Sequence, residues 1–168
     1  EAAGAEEVLK QADKELRATR YRLPWLRFSA FGSVPPRVPR GFRSLVSKLV
    51  DAGTPIHLPI ETARKANRYR KALEGLHVAV RESVTSVRRW QTAKHACSIV
   101  AGSMSDTPRE RVETAKQYAE ARRIKTGRKA LVCPAVAAKH LRTGSTNAKC
   151  GTCTACADPY IDIVYPGH

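Results

Sequence analysis

Acidic residues and aromatics are both scarce in this chain. Asp and Glu number 15 against 30 Lys and Arg in 168 residues, a formal charge of +15 with a pI near 10.1. Solubility alone asks for a net charge of roughly 2–8 in a small domain. The surplus therefore points to an anionic partner, nucleic acid first and an acidic protein second. With aromatics at 6%, a single-strand binder built on stacking platforms is disfavoured. No apolar run approaches the roughly 18–20 residues that span a bilayer, which predicts a soluble protein without membrane contact. The chain begins at Glu1 with no secretory n- and h-regions behind it, and reads as a processed or trimmed piece of something longer. Also missing are a phosphate-binding glycine loop, a Ser-His-Asp order and an HExxH motif, so no catalytic residue is assigned.

What is present suits one domain. The hydrophobic fraction of 42% is enough for a core. A helix is predicted over 3–19, with Val8, Leu9, Ala12 and Leu16 on one face, followed by a strand over 23–31 and a Pro-rich turn. Phe42, Leu45, Val46, Leu49 and Val50 form the clearest helical stripe, within 40–52 and stopped by Gly53. A strand at 55–60, a helix at 61–73, a strand at 77–84, a weaker helix at 86–94 and a strand at 96–101 come next. Thr107 and Glu110 form a capping box with Pro108 at the first helical position, and Gly127 ends that helix. A strand at 129–133, a cysteine-bearing loop and a strand at 161–165 complete the chain.

Short apolar strands separated by helices predict an α/β fold: a mostly parallel sheet or partial barrel, carrying a C-terminal metal-binding cysteine loop. The chain divides into an N-terminal helix at 1–21, an α/β core at 22–132 and a Cys-rich segment at 133–168.

The cysteines carry the sharpest signal. Cys133, followed by Pro134, is separated by sixteen residues from Cys150-Gly-Thr-Cys153-Thr-Ala-Cys156. Three thiols at i, i+3 and i+6 among small side chains can wrap a backbone around a [4Fe–4S] cluster, whose irons each need their own thiolate. Zn2+ is the alternative, since four thiolates also close a tetrahedron, and His140 or His168 could replace one of them. Cys97, inside an apolar strand, reads as a small core residue.

The basic residues are unevenly placed. From Arg17 to Lys71 there are thirteen Lys or Arg against Asp51 and Glu61 alone. Arg64, Lys65, Arg68 and Lys71 share one side of a helix and form a ridge that could track phosphates, with Tyr21, Trp25, Phe28 and Tyr69 nearby as possible stacking partners. The bland alternative is that these cations only solvate outer helices. Glu61, Arg81 and Glu82 lie near strand ends, where parallel sheets bind ligands. His57, within an apolar strand, reads as a satisfied structural histidine.

Taken together, FSAFGS (Phe28 to Ser33), RESV (Arg81 to Val84) and the closing C…CGTCTAC…IVYPGH resemble the gene-product-eighty-eight type of phage and plasmid proteins. The resemblance covers most of 22–168 and implies a phage- or plasmid-encoded protein of the bacterial cytoplasm. It also implies an α/β order like the partial barrels of radical enzymes. The C-x3-C-x2-C motif of those enzymes is absent here. The expectation is thus a metal-binding protein that contacts nucleic acid, with a fragment of a [4Fe–4S] radical or redox enzyme, or an assembly protein with an acidic partner, as alternatives.

Overall fold

The computed structural model describes residues 2–28, 34–103, 105–141 and 153–167, the side chains of Ala2, Ala3 and His140 excepted. Its elements are α1 (Ala2–Ala18), β1 (Leu26–Arg27), α2 (Phe42–Asp51), β2 (Ile56–Ile60), α3 (Ala63–Ala72), β3 (Ala79–Val84), α4 (Val87–Thr92), β4 (Cys97–Ala101), α5 (Pro108–Thr126), β5 (Lys129–Val132), α6 (Pro134–Leu141), a 3-10 turn (Ala155–Ala157) and β6 (Ile161–Pro166). All six strands are parallel, in the order β1-β2-β3-β4-β6-β5.

This order decides which face of the sheet is covered. From β1 to β4 each crossover steps in one direction, and a right-handed connection then keeps every helix on one side. Accordingly Phe42, Leu45, Val46 and Leu49 of α2 and Ala66 and Tyr69 of α3 pack with Ile56, Leu58, Ile60 and Val80. Trp90 of α4 and Ala115 and Ala119 of α5 pack with Val84, Cys97, Ile99 and Val164 on the same side. The connection from β5 to β6 steps backwards and so crosses the other face. There Ala135 and Val136 of α6 and Ala155 of the 3-10 turn meet Leu131, Ile161 and Ile163.

Local chemistry places the helix ends. Thr62 and Ser86 cap α3 and α4 by accepting from the Lys65 and Arg89 amides. Thr107 and Glu110 form the full capping box of α5, and Gly127 closes it at φ 69°. On α1, Leu9, Ala12 and Leu16 pack on the core, but Val8 is 68% exposed and falls outside the expected stripe.

The segment 133–168 departs most from a plain cysteine loop. Residues 134–141 form α6, with the Cys133 carbonyl accepting its first bond from the Ala137 amide. Pro134 at the first position and an Ala-rich run explain it. The same segment supplies β6, which lies between β4 and β5.

A buried ionic network ties β6 to the helical side. Asp162 and Arg122 are both 0% exposed. The Asp162 carboxylate accepts from Arg122 Nε at 2.9 Å, Arg128 Nε at 2.9 Å and the Cys97 amide at 2.9 Å. Arg122 also donates to the Ala93 carbonyl at 2.7 Å, and its guanidinium lies 5.3 Å from the Trp90 ring centre. These groups sit at the amino ends of β4 and β6, opposite the end where parallel sheets place ligands.

Candidate functional site at the open sheet face

The face of the sheet away from α2–α5 is polar where its register rows are read across. Arg27 is opposite His57, and His57 opposite Ala79; Pro59 is opposite Arg81; Ser83 is opposite Ser98, and Ser98 opposite Ile163; Val100 is opposite Tyr165. Strand alternation turns all of these side chains to the same side.

Arg81 anchors the cysteine turn to this face. It is fully buried, and its terminal nitrogens donate to the carbonyls of Cys97, Ile161, Cys156 and Asp158. Four carbonyl acceptors satisfy most of a planar five-donor group, so Arg81 acts as a clamp on the 3-10 turn. Burial holds its guanidinium below its usual pKa. Glu82, its neighbour in sequence, turns to the helical side and accepts both nitrogens of Arg89, at 2.8 and 2.7 Å. Arg81 and Glu82 therefore do not share a site.

The cysteine turn brings two of the four expected ligands together. Cys133, just beyond β5 and buried, and Cys156, in the 3-10 turn, pack in one small cluster with Tyr165. The Cys156 thiol and the Tyr165 hydroxyl are 3.3 Å apart. Burial is the largest reason the Tyr165 phenol is pushed up, with Cys156 adding to it. Cys153 is half-buried; Cys150 and His168 lie outside the described residues. Cys97, Cys153 and Cys156 are free thiols. Among the described residues no three His, Cys, Asp or Glu side chains are grouped so as to hold a metal ion. Cys97 is buried on the helical side, where burial pushes its thiol up to about 12.

His57 differs from the sequence reading. It is 2% exposed, yet neither ring nitrogen has a hydrogen-bond partner among the described residues. Burial first, then the Arg81 and Arg27 charges, lower its pKa to about 3, so the ring is neutral. Trp25, with ring centres 6.4 Å apart from His57, has a buried indole nitrogen that is also unpartnered.

Along the carboxyl ends of β3, β4 and β6 the open face forms a cleft of about 560 Å³, whose lining includes Arg27, Ser83, Thr85, Ser98, Val100 and Tyr165. Sequence reasoning missed Arg27, Thr85, Ser98 and Tyr165. The signal was available only as strand parity combined with strand order, which isolated motifs do not carry.

The basic ridge on α3 is partly committed to structure. Lys65 Nζ donates to the Val34 carbonyl at 3.3 Å, and Arg68 donates to the Pro36 carbonyl at 2.8 Å. Arg64 and Lys71 are exposed and have no side-chain partner among the described residues. The aromatics beside them are occupied. Tyr69 is buried against Phe42, donating its hydroxyl to the Pro35 carbonyl; Phe28 stacks edge-on to Phe42; Tyr21 donates to Asp13. The region offers cations without a stacking platform. No helix of the described residues is long and apolar enough to cross a membrane. Compared with family models, curated proteins and solved structures, the chain gives no match.

Proposed function

We propose that the protein binds a metal centre through Cys133, Cys150, Cys153 and Cys156 and contacts nucleic acid through basic residues of its helical side. The observation that carries this reading is that Cys133 and Cys156, from opposite ends of the cysteine segment, border the same small apolar cluster, with Cys156 beside Tyr165. The i, i+3, i+6 spacing favours a [4Fe–4S] cluster over Zn2+. Its main effect is to fold the segment that carries it, because binding free energy at such a site is folding free energy. Cys133 at the start of α6 is a suitable first ligand, since a helix N-terminus favours thiolate. The likeness of the cysteine tail to gene-product-eighty-eight type proteins points the same way, toward a phage- or plasmid-encoded protein.

The charge of +15 supports the nucleic-acid half. Arg64 and Lys71 are the members of the ridge to test, because Lys65 and Arg68 also hold loop carbonyls. Affinity for duplex DNA or RNA should fall steeply between about 50 and 200 mM salt. The Arg64→Ala/Lys71→Ala double variant should lower the salt slope by about 2. An unchanged slope removes α3 from the interface.

A further inference from the structure

We propose that the cleft at the carboxyl ends of β3, β4 and β6 binds a small molecule carrying a phosphate group. The phosphate sits on Arg27 and the hydroxyls of Ser83, Thr85 and Ser98, and the apolar part of the ligand lies on Val100. Among the described residues no cysteine lines the cleft, and Tyr165 is the residue it shares with the cysteine turn.

Topology supplies the first argument. The one-directional crossovers put α2–α5 on the far face, and on the near face α6 and the 3-10 turn pack on Leu131, Ile161 and Ile163, while the carboxyl edge at Ser83, Ser98 and Val100 stays open among the described residues. In open parallel sheets ligands bind in the crevice outside those ends.

The donors supply the second. Arg27 is exposed and has neither a hydrogen bond nor an ion pair among the described residues. Ser83 and Ser98 are register partners on neighbouring strands, so their hydroxyls stand side by side, and neither hydroxyl nor that of Thr85 has a protein partner there. Among the described residues no carboxylate lines the cleft, and Glu82 is turned away and bound to Arg89. One guanidinium and three hydroxyls match the many acceptor sites of a phosphate dianion; a carboxylate would leave several donors unused.

The apolar wall is the third. Val100 is 57% exposed within the strand, beside Tyr165, and offers a surface for the rest of the molecule. Pockets of this kind pair an apolar lining with a few convergent polar groups.

The probe is phenyl phosphate, added to the full chain and followed by amide chemical shifts, with metal content measured on the same samples. The expected result is that shifts concentrate at residues 83–85 and 98–100. Arg27→Ala then weakens binding about tenfold or more. Lys125→Ala removes one positive charge at an exposed site in the last turn of α5 and leaves the affinity unchanged. Val100→Asp, at a position 57% exposed, abolishes binding, with far-UV circular dichroism on the same sample checking that the fold is kept. The proposal is overturned if the shifts spread over α3 and the general basic surface, if Arg27→Ala and Lys125→Ala have equal effects, if benzyl alcohol binds as tightly as phenyl phosphate, or if millimolar probe shifts nothing.

Discussion

Replacing Asp162 by Ala tests the buried network that holds β6 in the centre of the sheet. The substitution leaves Arg122, itself 0% exposed, without its carboxylate and leaves the Cys97 amide without an acceptor. Arg128, at 22% side-chain exposure, can turn toward water and loses less. Removing one partner of a buried pair typically costs about 3–5 kcal/mol, because the remaining charge is neither paired nor hydrated. That is a large share of the roughly 5–15 kcal/mol that holds a domain together. With an m-value of about 2 kcal/mol/M, a loss of about 4 kcal/mol lowers the urea midpoint by about 2 M. Urea titration followed by far-UV circular dichroism and by tryptophan fluorescence measures it, Trp90 being buried beside Arg122. The double variant Asp162→Leu/Arg122→Met, which removes both charges at similar volume, should recover much of the loss. A loss under about 1 kcal/mol in Asp162→Ala, or a double variant at least as unstable as the single one, refutes the reasoning.

Three further outcomes follow from local geometry. The Asp13 carboxylate, bound by Lys48 at 2.7 Å and by Arg17 and Tyr21, is held at about 2 against an ordinary 3.8, chiefly by the Lys48 hydrogen bond. A depressed carboxylate stabilises above its unfolded pKa, so the docking of α1 on α2 should weaken as pH falls from about 4 to about 2; NMR titration should show Lys48→Ala moving the midpoint upward. Thr107→Ala removes half of the α5 capping box and should cost about 1 kcal/mol by thermal or urea unfolding. Gly102 has φ +94°, and a Cβ there would come within 3.0 Å of Arg111 Cγ, so Gly102→Ala should destabilise by more than about 1 kcal/mol in the same assay.

The elements were legible where one physical signal dominated. The Phe42 to Val50 stripe, the capping box at Thr107 and the glycine stop at Gly127 each have a local cause and appear as expected. The alternation of short apolar strands with helices was enough for a mostly parallel sheet or partial barrel; the sheet is all-parallel, in one linear strand order. α6 was overlooked although Pro134 and the Ala-rich run signal it, because the flanking cysteines drew the segment into a loop reading. Strand order was not legible. Which strand stands between β4 and β5 depends on packing between distant residues, and the open face follows from that order. The buried Arg81, Arg122 and Asp162 were equally hidden, since a charged residue in a strand or helix reads as exposed until its partners are known.

Metal analysis of anaerobically purified full-length chain tests the central proposal most directly. The account predicts about four iron and four sulfide per chain, with absorbance near 400 nm that bleaches on reduction, lost in Cys133→Ser and in Cys156→Ser. One equivalent of zinc, lost in the same variants, would contradict the cluster while keeping the thiolate site. A chain that carries no metal, or that keeps its metal with all four cysteines replaced by serine, would contradict the site itself.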